Sequence, residues 1–236
     1  MPDFSNKAYL CPHINPEGIK FGAIALVLAC AFAVASEWLP YLRWFVVPAF
    51  LLAWGVFLFF RDPERYPPEG EGLILSPADG RVCLIQECEL PDALGEMEEY
   101  KGRKFWRVSV FMSVFNVHVN RMPTKGEILK KQYVAAGKFF NASLDKASKE
   151  NERCNYLVKS AAGSVYGVTQ IAGLVARRIV PQVVEGDKKE QAERFGLIRF
   201  GSRLDVYLPE GVRPEVRVGQ IMVAGETVLG KEKLKG

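Results

Sequence analysis

The sequence predicts a mainly β, α+β protein: a barrel-sandwich-like β domain of short hairpins behind an N-terminal hydrophobic helical hairpin. Three observations predict it. Apolar residues make up 49% of the chain but are crowded into residues 21–60. From Leu73 onward short β-branched runs alternate with glycine turns. Between the two textures lies a stiff, proline-rich stretch, Tyr66-Pro67-Pro68-Glu69-Gly70, which places a boundary near residue 65 and divides the chain into 1–65 and 66–236.

The first twenty residues are polar and turn-rich, and His13 among them reads as an exposed tail histidine. Residues 21–35 and 44–60 are two uncharged apolar runs, joined by the polar-aromatic turn 36–43. Each falls a little short of the roughly 20 residues that span a bilayer, so the pair reads as a hairpin that crosses or dips into a membrane. The alternative is a buried hairpin in a soluble core. Trp38, Tyr41 and Trp44 stand where interfacial aromatics belong. Lys7 and Lys20 before the runs, and Arg61 and Arg65 after them, put both ends on the cytoplasmic side of the cell membrane. The apolar stretch starts too late for a secretory signal.

In the second part, Leu73 to Ile85 reads as strand, turn, strand about Ser76-Pro77-Ala78-Asp79-Gly80. Trp106 to Val119 reads as one near-continuous buried strand. Residues 165–179 form a further β-rich stretch, and 187–194 a loop or short helix. Residues 212–230 show the glycine-punctuated rhythm of barrel-sandwich carrier domains. The net charge of +4 is too small to argue for nucleic acid and suits an anionic membrane surface. Five cysteines, none in a C-x-x-C pair, and only two histidines read as reduced thiols and no metal site.

Three residues could carry chemistry. Gly201-Ser202, within Phe195–Pro209, is by itself a turn pair. A serine hydroxyl held against the preceding carbonyl can also attack its own peptide bond, given strain and a base. His118 lies in Phe111–Pro123 with Asn116 and Asn120 as period-two neighbours. It reads either as a partly exposed strand histidine or as an acid-base group. Asp79 caps its own turn or joins the other two in a proton-transfer set. Arg177, Arg178, Lys125, Lys130 and Lys131 are candidate headgroup contacts or a solvated basic face.

The motifs Phe60-Arg61-Asp62-Pro63, Ser76–Gly80, Phe111–Pro123, Asn151-Glu152-Arg153, Phe195–Arg203 and Ala224-Gly225-Glu226-Thr227, in that order, resemble the phosphatidylserine decarboxylases in their short bacterial and archaeal form. The similarity runs from about Phe60 to the C-terminus. The resemblance implies a proenzyme in which Ser202 attacks the Gly201 carbonyl. The chain is then cut between Gly201 and Ser202 into large (1–201) and small (202–236) chains, which stay together as a heterodimer; further oligomerisation is left open. Ser202 would become a pyruvoyl group, the covalent cofactor, in place of pyridoxal phosphate or a metal. A Schiff base between that group and phosphatidylserine would permit loss of carbon dioxide and release of phosphatidylethanolamine. The resemblance implies His118 as the proton donor and Asp79 as its orienting or charge-balancing partner. Long-form members carry a second histidine where this chain has Arg121, and Leu-Gly-Ser-Thr where it has Phe200-Gly201-Ser202-Arg203. Whether His118 serves both self-cleavage and decarboxylation is therefore left open. The competing class is a membrane-anchored, non-catalytic barrel-sandwich binding or carrier module, against which no lysine stands at a hairpin tip between small residues. A third reading keeps the chemistry and changes the substrate to another amino acid or lipid.

Overall fold

The computed structural model describes residues 13–91, 94, 100–135, 151–173, 178–199 and 202–233. Lys7, Cys11, Arg177, Phe200 and Gly201 lie outside them. The chain divides into two compact units between Glu64 and Arg65.

The first unit is a helical hairpin. Helix α1 (Pro16–Ala35) starts where Asn15 Oδ1 accepts the Glu17 amide at 3.1 Å and Pro16 supplies a ready-made helical φ. It stops at Ser36, whose hydroxyl donates to the Ala33 carbonyl at 2.7 Å. A 3₁₀ turn (Pro40–Leu42) leads into α2 (Arg43–Phe59). The helices approach closely because Gly18 and Gly22 have no side chains: a Cβ at either would collide with Phe60 or Phe57. Phe21 stacks on Phe60 at 5.7 Å, and the Asn15 amide donates to the Phe60 carbonyl at 2.8 Å. Most of the other apolar side chains of both helices are exposed, so this hairpin is not the buried core of a soluble domain. Both segments, taking the 3₁₀ turn with α2, are long and apolar enough to cross a membrane.

The named elements of the second unit are all strands. Its strands are β1 (Leu73–Leu75), β2 (Gly80–Cys88), β3 (Phe105–Met112), β4 (Val119–Arg121), β5 (Gly126–Val134), β6 (Arg153–Ser160), β7 (Val165–Ala172), β8 (Arg178–Pro181), β9 (Lys188–Lys189), β10 (Arg194–Arg199), β11 (Ser202–Tyr207), β12 (Ile221–Met222) and β13 (Val228–Lys231). All pairings are antiparallel. An eight-stranded sheet runs β12-β2-β3-β11-β7-β6-β5-β9, a three-stranded sheet β4-β10-β8, and β1 pairs with β13. The mainly β expectation with N-terminal helices holds.

One detail differs from the sequence reading. Trp106–Val119 is not one strand, because β3 ends at Met112 and a turn intervenes before β4. Of the two readings of residues 187–194, the loop is the one found, with the two-residue strand β9 inside it.

Strand alternation sorts the large sheet into two faces. Val108, Val110, Met112, Val168, Ala172, Leu204 and Val206 point into one apolar core, with Tyr156 and Phe195 edge-to-face at 5.4 Å. The alternate positions Arg203, Asp205, Ser109, Thr169 and Asn155 are also buried, but polar. There Arg203 Nε and Nη2 meet Asp205 Oδ1 and Oδ2 at 2.8 and 2.9 Å, and neither side chain is exposed.

Candidate active site

Ser202 opens β11, the strand between β3 and β7 near the middle of the large sheet. Its cross-strand partners are Met112 and Ala172, and it is fully buried. Among the described residues its hydroxyl meets the Met112 sulfur at 3.9 Å, a weak acceptor. Asn120 Nδ2 approaches the same sulfur at 3.7 Å. Asn120 Oδ1 accepts from Gln170 Nε2 at 2.8 Å, and Gln170 Oε1 accepts from the Tyr156 hydroxyl at 2.7 Å. Burial pushes the Tyr156 phenol pKa up, which keeps it a neutral donor to this chain.

The strand order makes Ser202 a crossing point. β3 belongs to the large sheet and β4 to the three-stranded one; β10 and β11 divide the same way. Residues 112–119 run from the large sheet to the three-stranded one, and β10 ends in the three-stranded sheet while β11 begins in the large one. Ser202 pairs with Met112, and Leu197 pairs with Val119. The two ends of the segment that carries His118 are thus paired with Ser202 and with Leu197 of the preceding strand.

His118 is 2% exposed, so it is not a partly exposed strand residue. Its carbonyl accepts the Ile198 amide at 3.3 Å. Its Nδ1 lies 2.9 Å from the Asn116 carbonyl oxygen. A carbonyl only accepts, so Nδ1 carries the hydrogen of that bond and Nε2 is the basic nitrogen of the neutral ring.

Asp79 closes the Ser76–Gly80 turn at the same end of the sheet. Arg65 Nη2 reaches both of its oxygens, at 3.0 and 2.8 Å, and the Ala224 amide donates to Oδ1 at 2.8 Å. It does not cap its own backbone; Ser76 does that, donating to the Ala78 carbonyl at 2.8 Å. Nor does it hydrogen-bond to His118. Its contacts join two distant motifs, because Gly225 and Thr227 also exchange backbone bonds with Ser76 at 2.7 Å each. Gly80 then lets the chain pass against the Phe111 carbonyl, where any Cβ would collide. The Pro77 carbonyl accepts the Arg121 amide at 2.9 Å, which ties this turn to the end of β4.

Sequence reasoning gave no role to Asn151, Glu152, Asn120 or Gln170. Asn151 Nδ2 donates to the Ala172 carbonyl at 2.7 Å, and the Ala172 amide donates to the Glu152 carbonyl at 2.9 Å. Both residues therefore fix the strand partner of Ser202. Glu152 Oε1 accepts from the Tyr133 hydroxyl at 2.6 Å and the Ile179 amide at 2.9 Å. The available signal for Asn151, Glu152 and Asn120 was their place inside the family motifs as polar residues; Gln170 lies in none of these motifs.

The basic candidates separate. Arg178 is exposed opposite Arg199 at the end of β10 that feeds the Ser202 link. Lys125 lies at the far end of the large sheet, paired with Glu190 at 2.9 Å, and Lys131 Nζ turns to the Val183 carbonyl at 2.8 Å. Among the described residues no His, Cys, Asp and Glu group gathers as a metal site would.

Residues 52–230 match the family described as phosphatidylserine decarboxylase. The chain is 50% identical over 220 residues to the phosphatidylserine decarboxylase proenzyme of Zymomonas mobilis, covering 93% of this chain and 87% of that protein. It is 52% identical over 228 residues to the proenzyme of Erythrobacter litoralis, covering 93% and 88%. It is 53% identical over 217 residues to that of Ruegeria pomeroyi, covering 92% and 94%.

Proposed function

The chain belongs to the phosphatidylserine decarboxylase family, and from that premise we propose that it is a self-processing carboxy-lyase converting phosphatidylserine to phosphatidylethanolamine and carbon dioxide. The observation that carries the reading is the crossing point. A fully buried serine begins a central strand, and it and Leu197 of the preceding strand pair with the two ends of the segment bearing a buried histidine.

In self-processing, Ser202 Oγ attacks the Gly201 carbonyl carbon. The amide becomes an ester, and the freed nitrogen takes up a proton. A base removes the Ser202 α-proton, the Cβ–O bond breaks, and Gly201 leaves as a carboxylate. The dehydroalanine left behind takes up water and releases ammonia, which leaves a pyruvoyl group heading residues 202–236. Burial of Ser202 favours elimination over simple hydrolysis of the ester, because water is kept from it.

The surroundings suit such a group. Position 202 has apolar strand partners in Met112 and Ala172, and the Asn120 amide is a nearby donor for a new carbonyl. The chemistry supplied there is an electron sink conjugated to an amide carbonyl. His118 holds a proton on Nδ1 against the Asn116 carbonyl, so Nε2 is the atom that takes or gives one, in self-cleavage and in turnover. Asp79 acts at one remove: through Arg65 and Ala224 it fixes the turn that ties down the end of β4. The hairpin holds the enzyme in the cell membrane with its catalytic unit on the cytoplasmic side, where a diacyl substrate need not leave the bilayer. The large and small chains remain a heterodimer.

An intact-mass spectrum tests this. The expected result is two chains split after Gly201, the smaller lighter by one ammonia than a serine-headed fragment. Ser202→Ala is expected to stay uncut and inactive, and His118→Ala to be slowed in both cleavage and turnover. A cut, active Ser202→Ala variant would refute the mechanism. Normal cleavage with lost turnover in His118→Ala would put the cleavage base elsewhere.

A further inference from the structure

Among the described residues of the decarboxylase unit, the exposed large apolar side chains are Tyr66, Val114, Phe115, Tyr133, Val184, Val218 and Ile221, and Phe115 is the most exposed of them. After Met112, the partner of Ser202, the chain makes the turn Ser113–Asn116, and Val114 and Phe115 at its tip are 47% and 83% exposed. The turn is built rather than loose. Asn116 Oδ1 accepts both the Ser113 amide, at 2.9 Å, and the Ser113 hydroxyl, at 2.8 Å. The Asn116 amide donates back to the Ser113 carbonyl at 3.0 Å. Ile221, 67% exposed, stands at the same end of the sheet, paired through Arg81 with Phe111. Exposed Arg81 and Arg178 lie at this end too. At the opposite end, where Phe105, Val165 and Tyr207 finish the strands, no large apolar side chain is exposed among the described residues. That end instead carries exposed Lys101 and Lys104, and Arg103 paired with Glu210 at 2.8 Å.

We propose that the Val114-Phe115 tip is a second membrane contact, separate from the helical hairpin, which enters the bilayer interface and seats the Ser202 end of the sheet against it. The occupant is a lipid surface. Apolar tips flanked by arginines match the boundary between acyl chains and anionic headgroups. The reactive serine lies one strand residue from the start of that turn, so a lipid entering the site passes the tip. The inference rests on the decarboxylase reading for its choice of substrate, but its location stands on the exposure pattern alone.

The test uses the full-length protein in phosphatidylcholine vesicles containing phosphatidylserine. A photoreactive p-benzoylphenylalanine replaces Phe115, or Lys104 as the control at the opposite end. Irradiation is expected to add one phospholipid mass at position 115 and none at 104. No adduct at 115, an equal yield at 104, or a covalent protein dimer in place of a lipid adduct overturns the proposal. Separately, a Val114→Ser/Phe115→Ser double variant is expected to lose roughly five- to ten-fold in turnover of bilayer phosphatidylserine. Its turnover of monomeric short-chain phosphatidylserine, and its self-cleavage by intact mass, are expected to be unchanged. An equal loss on both substrate forms would mean that the turn serves the site itself and would also overturn the proposal. If the unmodified protein releases carbon dioxide from neither form, the decarboxylase reading fails while the photoadduct result stands on its own.

Discussion

Arg203 and Asp205 illustrate how much one buried pair can matter to the strand that begins at Ser202. Two residues apart on one strand, they share a face and satisfy each other away from water. Removing one partner of a buried ion pair typically costs about 3–5 kcal/mol. Asp205→Ala is therefore expected to lower the thermal midpoint sharply, whereas replacing both with apolar residues of similar volume is expected to cost much less. Scanning calorimetry on the intact protein distinguishes the two. Tyr133 gives a pH test. Burial, with the Glu152 carboxylate beside it, pushes its phenol up to about 12. A raised pKa means that the stabilisation is complete below the unfolded value of about 10 and is lost as pH rises from there toward about 12. Absorbance titration should show Tyr133 ionising near that value, and Glu152→Gln should bring it down. Ser202, His118 and Asp79 could be singled out as candidates from the sequence because each sits in a motif with few polar competitors. Asn151 and Gln170 could not be given roles. Their partners, Ala172 and Asn120, come from other strands, and period-two alternation fixes a face but not a neighbour.

Among the elements, the break between β3 and β4 is the instructive departure. Trp106–Val119 is so rich in valine and phenylalanine that composition predicts unbroken strand. Asn116 and Ser113 overrule it, because a side-chain amide oxygen that takes two hydrogen bonds from Ser113 is a ready alternative to the ladder. The same turn aims Asn116's carbonyl at His118 Nδ1. Asn116→Ala keeps that carbonyl but loses the closure. It is expected to lower stability by about 1–2 kcal/mol and to slow self-cleavage, followed as the uncut fraction against time. The helical hairpin was legible for the opposite reason. Its side chains need no distant partner to be apolar, although α1 begins at Pro16, inside the stretch read as a polar, turn-rich tail, because Asn15 caps it and Pro16 starts it.

Across the whole second unit, the sheet order could not be read from the chain because its decisive pairings are remote in sequence. β1 pairs with β13, β2 with β12, and β11 enters between β3 and β7. Loop closure of that length leaves no local trace. The order has a mechanical corollary for the proposed cut. β11, β12 and β13 all pair with strands of the large chain, so breaking the 201–202 bond severs no ladder. The two fragments are expected to co-elute in size-exclusion chromatography and to separate only in denaturant. Elution of the small chain alone under native conditions would contradict this.

The central position of β11 also bears on when the chain could acquire the proposed reactive group during synthesis. β11 leaves the ribosome after β3 and β7, at about 5–20 residues per second. Ser202 cannot meet Met112 and Ala172 until β11 inserts between strands made earlier. A truncated or mispaired polypeptide would lack that alignment and keep an ordinary amide at the junction. The electrophile would then arise only in molecules whose β11 has been made and has folded into the sheet, so the cut itself would be a proofreading step on the newly made protein.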